Sequence, residues 1–155
     1  MDKIAVFAGS FCPFTKGHED IVAKALPLFD KIIIAVGHNI RKQDLFPVEQ
    51  RLEWIRSLYA NNPAVEVLAY TGLTVDVCRR TGARFLLRGL RNTADYMCEQ
   101  EMAAVNHQLC PEVETVFMTA SPEWSAVSSS LVRELWSLGA DYTSYLSYPL
   151  PDILP

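Results

Sequence analysis

The segment from Gly9 to His18 combines residue types that can bind phosphate. It reads Gly-Ser-Phe-Cys-Pro-Phe-Thr-Lys-Gly-His and follows a short apolar run. Gly9 lets the backbone approach a ligand, and Ser10 offers a hydroxyl to a phosphate oxygen. His18 lies where the next helix opens, and the helix dipole and free N–H groups favour anions there. The pattern is neither Gly-x-Gly-x-x-Gly nor a Walker loop, so it predicts another kind of phosphate site. The alternative is a turn that binds no ligand.

Two arginines flank a glycine in the segment Arg88-Gly-Leu-Arg91, directly after an apolar run. A guanidinium fork matches the geometry of phosphate and keeps its charge, so this segment also predicts phosphate binding. Asp95 and Glu99 follow on the next predicted helix, four residues apart. The alternative is that these acids simply pair with the arginines on the surface.

A third segment, Trp124 to Ser130, places three serines directly before an apolar helix. One of the serines is a natural N-cap, and hydroxyls and amides at a helix N-terminus can also hold a triphosphate. Lys42 lies on a loop after the second predicted strand, beside Arg41. An isolated lysine is usually a solvated charge, but its place beyond a strand end favours a functional reading.

These segments need a scaffold that brings them together. Strand-like runs occur at residues 3–8, 32–36, 65–69, 85–87 and 113–118, and helical patterns lie between them. Such alternation predicts an α/β protein: a single-domain, Rossmann-like, doubly wound fold with a five-stranded parallel sheet, spanning residues 1–155. Ligands of such sheets bind beyond the carboxyl ends of the strands, where the candidate loops lie.

The composition narrows the class of protein. Half of the 155 residues are hydrophobic and the net charge is −4, which disfavours a nucleic-acid partner. No apolar run approaches the ~20 residues of a transmembrane helix, and the first residues lack the pattern of a signal peptide. The four cysteines show no zinc-ligand spacing, and no acidic cluster suggests a metal cage. We therefore expect a cytoplasmic protein with reduced thiols and no metal-binding residues of its own.

The three segments together carry a resemblance. Thr15-Lys-Gly-His18 resembles the Thr/His-x-Gly-His signature of the nucleotidylyltransferase superfamily. The fuller Gly-Ser-Phe-x-Pro-x-Thr-x-Gly-His, with Arg-Gly-Leu-Arg, is similar to the phosphopantetheine adenylyltransferase family over roughly residues 3–146. This resemblance implies transfer of AMP from ATP to 4′-phosphopantetheine, which gives dephospho-CoA and pyrophosphate in coenzyme A biosynthesis. It also implies a homohexamer, feedback binding of coenzyme A, and Mg²⁺ carried with ATP.

The resemblance assigns roles to individual residues. It places catalysis on His18, Lys42 and Arg91. It implies that the acceptor substrate is bound by Ser10, Lys42, Thr74 and Arg88, although Thr74 could instead be a helix N-cap. The implied ATP-binding residues are Ser10, Phe11, His18, Gly89, Leu90, Arg91, Glu99, Trp124, Ser125, Ala126, Val127, Ser128, Ser129 and Ser130.

The expected chemistry is direct attack of an ionised phosphate oxygen on the ATP α-phosphorus. No nucleophile paired with a base is evident, so we expect no covalent enzyme intermediate, and His18 would stabilise charge rather than act as a base. Cys12 departs from the family, which usually has Asp there, and could make the site sensitive to thiol reagents. Three alternatives remain: a relative with another acceptor such as nicotinate mononucleotide, a regulatory nucleotide-binding protein without catalysis, and an assembly module.

Overall fold

The computed structural model describes residues 1–41 and 43–153. Its strands are β1 (Ile4–Gly9), β2 (Lys31–Gly37), β3 (Val65–Tyr70), β4 (Phe85–Leu90) and β5 (Glu114–Thr119). Its helices are α1 (Lys16–Ala25), α2 (Val48–Leu58), α3 (Thr74–Thr81), α4 (Thr93–Leu109) and α5 (Ser129–Ser137). Two short 3-10 turns cover Pro122–Trp124 and Thr143–Tyr145.

The five strands form one parallel sheet in the order β3-β2-β1-β4-β5. The chain builds outward from β1 to β3 and then crosses to the other side of β1 to form β4. The switch point of the topology therefore lies between β1 and β4, where such folds bind their ligands. The predicted Rossmann-like doubly wound fold with a five-stranded parallel sheet is confirmed.

Strand β4 is longer than the sequence suggests. The apolar run ends at Leu87, but the strand continues through Arg88, Gly89 and Leu90. These residues pair in register with Phe117, Met118 and Thr119 of β5, and that pairing keeps them extended. The Arg-Gly-Leu-Arg segment is consequently the rigid carboxyl end of a strand, and only Arg91 lies beyond it.

Two buried clusters cover opposite faces of the sheet, because alternate side chains of a strand point to opposite sides. Phe7 and Ile34 face α1 and α2, whereas Val6 and Ile33 face α3. Both β1 and β2 are apolar on both faces, as expected for central parallel strands covered by helices. This double burial makes β1 a fixed support for the loop that follows it.

A third, smaller cluster lies beneath that loop. It joins Cys12 and Phe46 to Val132 of α5 and to Leu146 and Leu150 of the C-terminal segment. All four cysteines are free thiols, and only Cys98 is exposed. Within residues 1–41 and 43–153, no helix is both long and apolar enough to cross a membrane.

The core burial leads to a stability prediction. Ile34 lies in the middle of β2 and is fully buried, so Ile34→Ala should lower the free energy of unfolding by about 3 kcal/mol. Leu138→Ala is the control, because Leu138 is 74% exposed and its truncation should change that free energy by less than ~0.5 kcal/mol. Urea unfolding measures both values, and equal losses in the two variants would contradict this description of the core.

Candidate active site

A cavity of about 370 Å³ opens at the carboxyl ends of β1 and β4. The loop after β1, the end of β4, the start of α4 and the segment leading into α5 form its walls. The three segments that the sequence singled out therefore meet at one place. The predicted residues that line it are Ser10, Phe11, His18, Arg88, Gly89, Leu90, Arg91, Glu99, Trp124, Val127, Ser128, Ser129 and Ser130.

The loop after β1 is held through its carbonyl groups by side chains from other parts of the fold. Within residues 10–14, four carbonyl oxygens accept hydrogen bonds from side chains of α2, α5 and the C-terminal segment. The donors are Arg51 to Ser10 (2.5 Å), Arg133 to Cys12 (2.7 Å), Ser129 to Pro13 (2.7 Å) and Tyr148 to Phe14. The backbone of this loop is thus fixed by side chains that come from distant parts of the sequence.

His18 is the third residue of α1, and a capping box sets its orientation. The Thr15 hydroxyl accepts a hydrogen bond from the His18 N–H, and the Thr15 N–H donates to His18 Nδ1 at 2.9 Å. Because Nδ1 accepts, the proton of the neutral ring must be on Nε2. The ring packs among Phe7, Phe11 and Phe14, with centroids 5.0 Å from Phe11 and 5.2 Å from Phe14. His18 can therefore offer one fixed N–H donor to the cavity.

Burial and two nearby positive charges keep this ring neutral. Desolvation is the larger effect and Arg88 and Arg91 add to it, so that the pKa of His18 falls from its usual 6.5 to about 3. A ring that is neutral near pH 7 with its lone pair engaged at Nδ1 is a hydrogen-bond donor to an anion, not a proton acceptor. This agrees with the expectation that His18 stabilises charge.

Arg88 projects from the last part of β4 and is held on two sides. Its Nε and Nη2 donate to Glu99 of α4 at 2.7 and 2.6 Å, and its Nη1 donates to the Ala8 carbonyl. Of the five guanidinium N–H groups, two remain for a ligand. The ion pair that the sequence left as an alternative is present, and the arginine lines the cavity as well.

Arg91 repeats this arrangement at the mouth of the cavity. Its Nε and Nη2 donate to the two carboxylate oxygens of Asp95, at 3.1 and 3.2 Å. Partial burial would raise the pKa of Asp95, but the hydrogen bonds from Arg91 hold it below its usual value. Three N–H groups of the guanidinium remain free for a ligand. Both pairs hold a guanidinium in one orientation without using all of its donors.

The segment before α5 supplies hydroxyl and amide groups. Ser128 is the N-cap of α5, since its hydroxyl accepts from the Leu131 N–H at 3.1 Å. Trp124 forms another part of the wall, and Lys16 Nζ lies 5.8 Å from the centre of its ring. Ser128 therefore caps α5 and lines the cavity as well, so the cap does not exclude the predicted contact with an anion.

A second cavity, of about 870 Å³, adjoins the first. It lies between the loop after β1, the loop after β2 and the end of β3, and its wall includes His38, Asp44 and Tyr70. Ser10 and Arg133 line both cavities. The two cavities therefore meet beside Ser10. Adjoining cavities of this kind can hold two ligands in contact with each other.

Some predicted residues lie elsewhere. Lys42 falls outside the described residues. Ser125 and Ala126 do not line the first cavity, and the Ser125 hydroxyl donates to the Pro122 carbonyl within a 3-10 turn. Thr74 lines neither cavity. It is the first residue of α3 rather than its N-cap, and its hydroxyl is hydrogen-bonded to the Tyr70 hydroxyl at 3.0 Å.

Arg133 is a residue of the site that the sequence reasoning missed. It donates to the Cys12 carbonyl and to the Ser130 hydroxyl, and among the residues described it has no carboxylate partner. Its charge is thus uncompensated at the point where the cavities meet. The spacing places Arg133 one helical turn after Ser129 on the predicted helix, but its contact with the Cys12 carbonyl depends on the fold.

The described lining of the first cavity offers arginine, histidine and serine side chains as hydrogen-bond donors. Across the described residues, no group of three or more His, Cys, Asp or Glu side chains is placed to hold an ion. Asp95 and Glu99, the carboxylates of the wall, are both engaged by arginines. A divalent cation carried on the phosphate oxygens of a nucleotide would not need such a cluster of protein ligands.

Comparisons with known proteins agree with this geometry. The family model described as cytidylyltransferase-like matches residues 6–135. The phosphopantetheine adenylyltransferase of Cytophaga hutchinsonii is 45% identical over 150 residues, which cover 97% of this chain and 100% of the relative. The protein of that name from Porphyromonas gingivalis is 48% identical over 144 residues, covering 93% of this chain and 94% of the relative.

A solved structure supports the fold alone. A bifunctional NMN adenylyltransferase/ADP ribose pyrophosphatase from Francisella tularensis, in complex with AMP and a Mn ion, matches with a TM-score of 0.69 at 20% identity. The match covers 97% of this chain but only 46% of that protein.

The family model and the two relatives show that the chain belongs to the phosphopantetheine adenylyltransferase family, within the cytidylyltransferase-like nucleotidyltransferases. The resemblance seen in the sequence is confirmed.

The neutral state of His18 should be visible in the pH dependence of stability. Below pH 6.5 the unfolded chain binds a proton at His18, whereas the folded chain does not until about pH 3. The free energy of unfolding should thus fall as the pH drops from 6.5 to 4.5, on the order of 1 kcal/mol per pH unit from this residue. His18→Asn, which keeps an acceptor for the Thr15 N–H, should lack that contribution. Parallel curves for the two proteins in denaturant titrations would contradict the assignment.

Proposed function

We propose that this chain transfers the adenylyl group of ATP to 4′-phosphopantetheine, giving dephospho-CoA and pyrophosphate. The observation that carries the proposal is the meeting of two cavities beside Ser10, one of them lined by phosphate-binding groups. Relatives at 45% and 48% identity over nearly the whole chain bear the name of this activity. ATP would occupy the first cavity and the pantetheine arm the second.

The reaction needs orientation and charge stabilisation more than acid–base chemistry. An oxygen of the 4′-phosphate forms a bond to the α-phosphorus of ATP, and the bond from that phosphorus to the pyrophosphate oxygen breaks. The attacking phosphate is already ionised near pH 7, so no proton has to be removed from it. The developing charge on the α-phosphate is then met by fixed donors in the cavity.

We assign those donors by their position around the first cavity. The Nε2–H of His18 points from a ring that cannot reorient, because Thr15 holds Nδ1. Arg91 presents its free N–H groups from the mouth of the cavity. We include Lys42 among these donors because its sequence position matches a lysine of the family motif. Together they would bind the α-phosphate more strongly as it becomes negative in the transition state.

The acceptor phosphate would lie between Ser10 and Arg88. Ser10 borders both cavities, and Arg88 has two N–H groups that neither Glu99 nor Ala8 occupies. Because Glu99 fixes the plane of the Arg88 guanidinium, the phosphate would be bound in one orientation, as in-line attack requires. Thr74 would act on the pantetheine arm through Tyr70, to which it is hydrogen-bonded.

The remaining lining residues would hold the nucleotide. Gly89 and Leu90 present backbone at the end of β4, and Glu99 would act through Arg88 as well as by contact. The N-terminus of α5 would bind the β- and γ-phosphates. The residues proposed for ATP are Ser10, Phe11, His18, Gly89, Leu90, Arg91, Glu99, Trp124, Ser125, Ala126, Val127, Ser128, Ser129 and Ser130.

We further propose that Mg²⁺ enters with ATP. When bound, the ion would neutralise phosphate oxygens and ease departure of pyrophosphate. The protein would bind the phosphates around it through Arg91 and the serines of α5, without carboxylate ligands.

The wider properties of the family extend the proposal. Residues 1–155 would act as one cytoplasmic nucleotidylyltransferase domain in a homohexamer, with coenzyme A as a feedback ligand at the same cavities. Helix α4 supports an assembly of copies, since none of its described residues 93–109 is buried and Met97, Met102 and Val105 are exposed. Such an apolar helix face is typical of surfaces covered by another subunit.

Pyrophosphate release tests the activity directly. Purified protein with ATP and Mg²⁺ should release pyrophosphate when 4′-phosphopantetheine is added and not without it, and chelation of the metal should stop the reaction. A panel that includes nicotinate mononucleotide should show a strong preference for 4′-phosphopantetheine. Equal rates with another phosphate acceptor would contradict the proposed substrate, and ATP binding without release would indicate a regulatory protein.

Removal of the His18 donor should slow the chemical step. His18→Ala is expected to reduce kcat by about 10²–10³, the range typical for loss of one donor to a developing charge. His107→Ala, on the exposed surface of α4, is the control and should keep the parental rate. A His18→Ala rate within tenfold of the parent would contradict the assigned role.

A further inference from the structure

Arg51 on α2 is a fully buried guanidinium that none of the proposed steps uses. Its side chain is 0% exposed, and no other charged residue among those described is buried. Burial of a charged group costs free energy unless its N–H donors are hydrogen-bonded. The partners of the Arg51 guanidinium therefore show which parts of the structure it connects.

The guanidinium binds oxygens from two separate loops and the end of a strand. Its Nη1 donates to the carbonyls of Ser10 (2.5 Å) and Gly37 (3.2 Å). Its Nε donates to the Phe46 carbonyl (3.0 Å), and its Nη2 donates to the Asp44 carboxylate (2.7 Å). One planar group thus ties the loop after β1 to the loop after β2.

The first of these contacts orients a peptide at the nucleotide cavity. In a trans peptide the C=O and N–H point in opposite directions, so the Ser10 carbonyl on Arg51 turns the Phe11 N–H the other way. Phe11 has a φ of +46°, in the left-handed region that side chains with Cβ seldom adopt. Its ring is 3% exposed and packs on Phe7, Phe14 and His18, which helps to hold this conformation.

The other contacts set the wall of the second cavity. Asp44 lines that cavity with 19% of its side chain exposed, and it also lies 3.9 Å from His38 Nδ1. The segment between Gly37 and Phe46 contains the sequence position of Lys42. Arg51 thus contacts the carbonyl of Ser10, which lines both cavities. It also contacts the Gly37 carbonyl and the Asp44 carboxylate, and both of these residues line the second cavity.

We propose that Arg51 is a positioning residue that sets the acceptor cavity relative to the nucleotide cavity, and so aligns the attacking phosphate with the α-phosphorus. The inference rests on the proposed adenylyl transfer. The Arg51 guanidinium donates from a planar fork to four oxygens, and the single ammonium group of a lysine cannot reproduce that arrangement. Misplacement of reacting groups by about 1 Å can cost 10²-fold in rate, whereas each substrate would still find its own cavity.

The test is a steady-state comparison of Arg51→Lys with Arg56→Lys, an exposed arginine on the same helix. Arg51→Lys should lower kcat about 10²-fold while the KM values for ATP and 4′-phosphopantetheine change less than about fivefold. Thermal unfolding should show that the variant is folded at the assay temperature. A kcat within threefold of the parent, a loss confined to KM, or a loss that follows the unfolded fraction would overturn the inference.

A second variant keeps the test decisive if Arg51→Lys does not fold. Asp44→Asn retains an acceptor for Arg51 but removes the charge that fixes it, and Glu49→Gln on α2 is the matched control. Asp44→Asn should lower kcat about tenfold with an unchanged KM for ATP, because Asp44 lines only the second cavity. Parental kcat in this variant would overturn the inference. An inactive parent would instead overturn the proposed function, so the two failures are distinguishable.

Discussion

The structure depends on how the loop after β1 is held. Residues of this loop line the cavity, and four of its carbonyl groups accept hydrogen bonds from side chains of α2, α5 and the C-terminal segment. Since these carbonyls are satisfied by protein side chains, the loop can keep an irregular path, including the left-handed Phe11. A cavity-lining loop of fixed shape follows from that arrangement.

The same constraint explains the state of His18. The loop delivers Thr15 to the start of α1, where the capping box uses both the backbone and the ring of His18. The ring is thereby pressed among phenylalanines near two arginines, and its pKa falls far below neutrality. A histidine that would titrate near pH 6.5 elsewhere therefore stays neutral in the physiological range and keeps its Nε2–H as a donor.

Charge balance within the site reconciles an acidic chain with phosphate ligands. The net charge is −4, yet Arg88 and Arg91 both face the cavity. Glu99 and Asp95 orient these two guanidinium groups and offset their charge, whereas Arg133 has no acidic partner among the described residues. The local positive charge is therefore concentrated where the two cavities adjoin, and it does not need a basic protein surface.

The packing around Cys12 explains why a thiol fits at this position. The sequence marked it as a lost carboxylate beside the phosphates, but the side chain is 5% exposed and lines the second cavity rather than the first. It packs with Phe46, Val132 and the C-terminal leucines, where an ionised carboxylate would have to be desolvated. The thiol of Cys12 therefore suits the apolar contacts that the C-terminal segment makes here.

The sequence by itself predicted the parallel sheet and singled out the three segments that meet at the first cavity, because strand burial and loop chemistry are local patterns. Only the tertiary structure decided that Arg88 to Leu90 belong to β4, since their extension comes from pairing with β5. It also decided the tasks of Arg51 and Arg133, whose partners lie 41 and 121 residues away along the chain. A charged residue on a predicted helix looks solvated until the fold brings carbonyl groups to it, and no spacing rule contains that information.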